Sequence, residues 1–247
     1  MSSPRRALAI AVATVLVLAG GAFAVDSVSA SRVEADLSHR IRPATPGVPA
    51  PAVTIGGAPT GRWTGPDGDV LSSVTIRAEG VERPAFGAVT VEASATDVSG
   101  VRDPGAPLAA GELTVEVQVT GDALGRALGM DQTRLGAADD PSLAGGLEHR
   151  ARVSGTADGA EISTFVDLVV DERGAHLVPV APATGPAGVE DQDRNLALGR
   201  TALTLPEDLL PLGMDVETLG VRGGTLVAAG TAGPGPTPLG DLARPDH

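Results

Sequence analysis

Val74–Glu79 reads VTIRAE, Val89–Thr96 reads VTVEASAT and Leu113–Thr120 reads LTVEVQVT. Each alternates apolar and polar residues with a period of two. Successive side chains of a strand point to opposite faces, so each segment carries one aliphatic face and one charged or hydroxylated face. Alternation of this one-sided kind belongs to antiparallel sheets with a solvated outer face. Strands of a doubly wound parallel sheet, buried on both faces, run as unbroken apolar stretches instead. The expected fold class is therefore α+β, built on an antiparallel sheet.

Working outward, Val53–Ile55 reads as a short strand, followed by turn-rich sequence from Gly56 to Asp69. Downstream, Gly121–Met130 (GDALGRALGM) reads as a short helix weakened by its glycines. Gly136–Gly146 is expected to be a loop and Arg150–Ala157 a strand. Glu161–Asp171 and Ala175–Pro179, joined by Glu172-Arg173-Gly174, read as a hairpin, and Pro179–Gly188 as a loop. A helix is expected over Gln192–Leu203, with turns around Leu205-Pro206 and Pro211–Gly213. A last hairpin joins Val216–Val221 to Thr225–Ala229, and the Pro/Gly-rich residues 231–247 are expected to be a disordered tail.

The N-terminus carries a targeting pattern. Residues 1–6 form a basic n-region with Arg5 and Arg6, and residues 7–25 (ALAIAVATVLVLAGGAFAV) run without a charge. Nineteen residues at about 1.5 Å rise span roughly the 30 Å hydrocarbon core of a bilayer. The arginines place the N-terminus inside and the bulk of the chain outside the plasma membrane. Ala22-Phe23-Ala24 fits a signal-peptidase site. Against cleavage, residues 25–41 hold no Gly or Pro and place Val25, Val28, Val33, Leu37 and Ile41 near one helical face. That favours a single-pass anchor continuing into an amphipathic helix; cleavage would leave a secreted protein. Pro43–Pro51 (PATPGVPAP) then ends the helix. The organisation expected is an n-region at 1–6, a span or signal at 7–25, an extracytoplasmic domain over 26–230 and the tail.

The net charge of −13, with no alternation of Arg and aromatic residues, argues against nucleic acid as a partner. The 18 basic residues are all Arg, and there is no Cys, so disulfides, thiolate metal sites and an acylated N-terminal cysteine are excluded. The 33 Gly and 20 Pro make a loop-rich chain, yet stay below the fraction of about 25–30% that marks wholly disordered ones.

Catalytic patterns fail on inspection. His39, His149, His176 and His247 are scattered and form no H-E-x-x-H pair. No Ser lies in G-x-S-x-G. Gly56-x4-Gly61 is followed by Arg62-Trp63 instead of Lys-Ser/Thr. Asp191-Gln192-Asp193-Arg194-Asn195 opens like a calcium loop but has Leu196 in place of the required Gly and Ala202 in place of the closing Glu. Asp139-Asp140 and Glu207-Asp208 remain as candidate carboxylate pairs of an envelope hydrolase or transferase. No metal or cofactor is expected.

Several blocks in order carry a family resemblance: the basic N-terminus and apolar span running into a helix; VTIGGAP at Val53–Pro59; VTIRAEGV at Val74–Val81; VEVQVTGDALGRAL at Val115–Leu128; and LPEDLLPLGMDVETLGVRGGTLVAAG at Leu205–Gly230. Over Val25–Gly230 the chain resembles the LmeA-like phospholipid-binding family of actinobacterial cell-envelope proteins. The resemblance implies a curved antiparallel sheet wrapped around one or two helices, similar to tubular lipid-binding proteins. It further implies a non-enzymatic role in binding phospholipid on the outer side of the plasma membrane, supporting envelope lipid or lipoglycan assembly. Val74, Ile76, Val89, Val91, Leu113, Val115, Val117, Val119, Val166 and Leu168 would then line a lipid groove. Alternation reports only that one face is buried, so a dry core has the same signature and a structural scaffold remains an alternative. The family's "G-f-P-f-l" becomes Gly57-Ala58-Pro59-Thr60-Gly61 here, leaving Trp63 as the one bulky candidate for a membrane-facing tip.

Overall fold

The three alternating segments lie side by side at the centre of a large sheet. The computed structural model describes residues 30–41, 49–56, 63–64, 69–137, 148–182, 198–233, 235–239 and 242. A helix, α1, covers residues 30–40. Strands β1 (Ala52–Ile55), β2 (Trp63–Thr64), β3 (Val70–Arg83), β4 (Gly87–Val98), β5 (Ala109–Ala110) and β6 (Glu112–Val119) follow, then helix α2 (Gly121–Leu128). Next come β7 (Asp131–Ala137), β8 (Arg150–Ala157), β9 (Ala160–Asp171) and β10 (Gly174–Pro182). A helical turn, α3, over residues 198–201 leads to β11 (Leu203–Thr204), a 3-10 turn at Pro211–Gly213, β12 (Thr218–Arg222), β13 (Thr225–Thr231) and β14 (Thr237–Pro238).

The strands pair antiparallel throughout, in two open sheets and a small ribbon, with few helices. The larger sheet runs β1-β3-β4-β6-β13-β12 with β2 added on β3, and the second runs β11-β10-β9-β8-β7. One curved sheet wrapping a helix is thus not what these residues form. The division follows from the chain turning out of β6 into α2, after which β7–β10 pair among themselves and with β11.

That turn is built locally. Thr120, the last polar residue of the LTVEVQVT stretch, caps α2 by accepting from the Ala123 N–H at 3.3 Å. Gly129, at φ 64°, closes the helix in the left-handed conformation that glycine tolerates without strain. Gly121 and Gly125 sit one turn apart and face β7. A Cβ on Gly121 would lie 2.3 Å from the Thr133 carbonyl oxygen, and one on Gly125 would lie 2.7 Å from the Met130 carbonyl oxygen. The glycines that weaken the isolated helix are therefore what let α2 sit directly on the β7 backbone.

Helix α1 covers one end of the larger sheet. Leu37 and Ile41 are each 1% exposed, and Val33 packs against the same core. The Arg40 guanidinium donates to the carbonyls of Gly100, Val101, Asp103 and Ala106 at 3.0, 3.2, 3.3 and 2.6 Å, tying the helix to the loop before β5. The Glu34 carboxylate accepts from the Ile55 N–H at 2.9 Å, so the amphipathic helix read from the sequence is also bonded through its polar face. Among the described residues no helix is long and apolar enough to cross a membrane. The span at 7–25, the n-region and Ala22-Phe23-Ala24 lie outside them.

The segment expected to be a disordered tail is ordered where it is described. Strand β14 pairs with β5, the Leu239 N–H donates to the Leu108 carbonyl at 3.0 Å, and Leu239 and Leu242 are 0% and 2% exposed. Two leucines and one two-residue ladder make too short a pattern to register as periodicity, yet they suffice because Ala109–Ala110 offers a free edge. Leu239→Ala is expected to cost about 2 kcal/mol, the low end of the leucine range because a chain end can shift. Denaturant unfolding checks it; an unchanged midpoint would return the segment to a loose tail.

Candidate functional site

The ten residues expected to line a lipid groove are instead packed. Val74, Ile76, Val89 and Val91 are 1–2% exposed, Leu113, Val115, Val117, Val119 and Val166 are 0%, and Leu168 is 5%. All ten belong to one apolar cluster that both sheets and the helices share. A channel wide enough for an acyl chain would admit water to its walls, so walls this inaccessible enclose a core and not a groove. The cluster that buries them also takes in Leu37 of α1, Ala123, Leu124 and Leu128 of α2, and Val153, Ile162, Val166 and Leu168 of the second sheet, and α2 itself packs on β4 and β13.

Trp63 is not an exposed tip. Its ring is half-buried against the core, β2 pairs it with Leu71, and the Arg102 guanidinium stacks over it at 4.6 Å from the ring centre. Gly57–Arg62, Asp139, Asp140 and the Asp191–Asn195 segment lie outside the described residues. Glu207 and Asp208 show no titratable partner among the described ion pairs, and no group of three or more metal-binding side chains occurs among the described residues.

A concave surface lies elsewhere, on the outward side of the second sheet. There β9 and β10 put Val169 opposite His176, and β11 puts Thr204 beside His176. With Asp171, Arg173, Val178, Ala202 and Leu203 these residues line an open cleft of about 570 Å³. Its floor is aliphatic. Its rim at the β9–β10 turn is polar: the Arg173 guanidinium lies 2.9 Å from one Asp171 oxygen, His176 Nε2 lies 3.4 Å from the other, and His176 Nδ1 lies 3.2 Å from the Thr204 hydroxyl. The side-chain and backbone N–H bonds from Arg173 hold the Asp171 carboxyl down to about 2, so it is ionised at any ordinary pH. The rim thus holds a fixed carboxylate, a guanidinium and an imidazole side by side, with donors and acceptors for a head group that carries both a phosphodiester and hydroxyl or amine donors.

From sequence, Val169 and Asp171 belong to the strand Glu161–Asp171, Arg173 to the turn after it, His176 and Val178 to the strand Ala175–Pro179, and Ala202 and Leu203 to the expected helix over Gln192–Leu203, although Leu203 opens β11 in the structure. A signal was present. Leu177-Val178-Pro179-Val180 breaks the alternation, so apolar residues fall on both faces of β10. The structure leaves Val178 44% and Val180 47% exposed, and a bulge lies between Pro179 and Ala181, where a proline without an N–H is tolerated.

A family model described as LmeA-like phospholipid-binding matches residues 24–231. No curated protein and no solved structure matches the chain.

Proposed function

The chain belongs to the LmeA-like phospholipid-binding family, and on that premise we propose that it is a non-enzymatic phospholipid-binding protein of the cell envelope, held at the outer side of the plasma membrane and serving envelope lipid or lipoglycan assembly. The single observation that supports a site for it is the cleft, aliphatic at its floor and charged at its rim. Arg173 would donate to the phosphodiester, Asp171 would accept from the head group's hydroxyl or ammonium, and Val169, Val178 and Leu203 would take the apolar carbons next to the glycerol. Arg173 is suited to this because its side chain is 84% exposed and can reorient toward a ligand.

Volume limits what enters. If a methylene takes the ~30 Å³ of a liquid water molecule, the thirty or so methylenes of two acyl chains need on the order of 1,000 Å³. The cleft offers about 570 Å³, enough for a head group and the first carbons. With the core between the sheets filled, the reading supported is partial engagement of a lipid whose chains stay in the bilayer.

Native mass spectrometry of the full-length protein, released from detergent, tests this. A phospholipid adduct is expected on the wild type, and the double substitution R173A/H176A is expected to reduce it by roughly tenfold, since charge-assisted hydrogen bonds are the strong ones. A wild type without phospholipid would sink the proposal. The filled core also favours a second reading, a scaffold for membrane enzymes; there the wild type is lipid-free and a membrane protein co-purifies.

A further inference from the structure

The cleft on the second sheet is built around one ion pair. Of the described residues that line it, Asp171 is the one carboxylate and Arg173 the one guanidinium, with the imidazole of His176 set between Asp171 and Thr204. On the same face, Asp167 lies opposite Val178 in the register and is bonded through both oxygens to Arg150, so that pair satisfies itself. Glu172, exposed in the Arg173 turn, adds a second carboxylate beside the cleft. The described lining includes no Phe, Tyr or Trp.

Asp171 is held in place by its own turn. One oxygen accepts the Arg173 backbone N–H at 2.8 Å, and the other accepts the Arg173 guanidinium at 2.9 Å. His176 Nε2 lies 3.4 Å from the first oxygen, is closed to solvent and makes no hydrogen bond among the described residues. The guanidinium contact is the weak one of the set, because ion pairs open to water contribute little. The Arg173 side chain is 84% exposed, so a phosphodiester would draw it away at small cost. The backbone bond would keep Asp171 where it is. Its second oxygen would then carry a charge with no cation beside it.

We infer that Asp171 selects the head group, so that the cleft takes a phospholipid whose phosphate is accompanied by a primary ammonium in preference to an anionic or a quaternary-ammonium one. The inference rests on the phospholipid-binding reading above and narrows it. With an ethanolamine head group, the Arg173–Asp171 pair is exchanged for two pairs, guanidinium to phosphate and ammonium to carboxylate. Both are charge-assisted hydrogen bonds. A glycerol head group offers the carboxylate only a hydroxyl, and its uncompensated negative charge sits beside Asp171 and Glu172. A serine head group brings its ammonium together with a further carboxylate. A choline head group is balanced in charge, but its nitrogen has no N–H to donate, and the aromatic rings that recognise such a cation are missing from the described lining.

Competition tests this. Full-length protein is placed in detergent micelles with equimolar phosphatidylethanolamine, phosphatidylglycerol and phosphatidylcholine of identical acyl chains, and native mass spectrometry separates the adducts by head-group mass. On the wild type the ethanolamine adduct is expected to exceed each of the others by about fivefold, the scale that divides a charge-assisted from a neutral hydrogen bond. D171N keeps an acceptor for the Arg173 N–H while removing the charge, and is expected to bring the ethanolamine-to-glycerol ratio close to unity. D167N removes a charge from the same face outside the cleft and is expected to leave the ratio as in the wild type. Glycerophosphoethanolamine, the same head group without acyl chains, is expected to displace the lipid only at roughly tenfold excess or more, since it has no chain carbons for Val169, Val178 and Leu203 to cover. Equal adducts of the three lipids, a preference for glycerol, or an ethanolamine preference that survives D171N overturns the inference. So does a ratio that D167N shifts as far as D171N, because overall charge would then set it. Displacement at equal concentration overturns a lipid as the ligand. Adducts without preference remove only this inference, whereas no adduct of any phospholipid removes the lipid-binding reading with it.

Discussion

Leu113→Ala is expected to lower the free energy of unfolding by about 2–5 kcal/mol, the range for truncating a fully buried leucine. Domains of this size are stable by about 5–15 kcal/mol, so one substitution would remove a large share of the total. Leu113 is 0% exposed on β6, between β4 and β13 at the middle of the larger sheet. The measurement that checks it is denaturant unfolding of the full-length protein, paired with native mass spectrometry of the fraction still folded. A core residue loses stability and leaves lipid retained per folded molecule unchanged. A groove residue would do the reverse, with a small stability change and lost or altered lipid. The pairing therefore decides between the two readings that alternation left open, for Leu113 and by extension for the nine other aliphatic residues packed with it.

Gly125→Ala is expected to destabilise by about 1–3 kcal/mol, the cost of forcing atoms into a filled site. The sign is informative because helix propensity alone favours alanine over glycine by about 1 kcal/mol. The added Cβ would lie 2.6 Å from the Thr133 hydroxyl and 2.7 Å from the Met130 carbonyl oxygen. The hydroxyl can rotate away, but the carbonyl belongs to the turn between α2 and β7 and cannot move alone. Helix α2 would have to lift from the second sheet, loosening the junction where the two sheets share their core. Thermal unfolding is the direct check. A raised midpoint would mean that α2 sits farther from β7 than described, and that its glycines were only a local weakness.

Much of this fold is legible in short stretches of chain. The runs in Val74–Glu79, Val89–Thr96 and Leu113–Thr120 alternate because one face leaves water, and all three are central strands of an antiparallel sheet. The hairpin over β9 and β10, the hairpin over β12 and β13, and the apolar stripe ending at Leu37 and Ile41 carry their patterns in the same way. The family is legible too, since its blocks keep their order along the chain and its model matches residues 24–231.

What covers a buried face is not written in its period. Alternation along β6 requires that Val115, Val117 and Val119 leave water, but whether a lipid or other side chains of the protein cover them depends on residues distant in sequence, such as Leu37, Val153 and Val166 of the same buried cluster. The cleft was illegible for the same reason. Asp171, Arg173 and His176 become neighbours only through the turn joining β9 to β10, and Thr204 reaches His176 only when β11 adds to the edge of β10. The tail shows no period, and its Thr237–Pro238 pair is placed by a partner more than a hundred residues earlier, at Ala109–Ala110. The sequence by itself determined the strands, their one-sided character and the family, because those depend on spacing along the chain. The tertiary structure alone decided that the aliphatic faces pack into one shared core and that Asp171, Arg173, His176 and Thr204 meet at one cleft, because those depend on which strands meet.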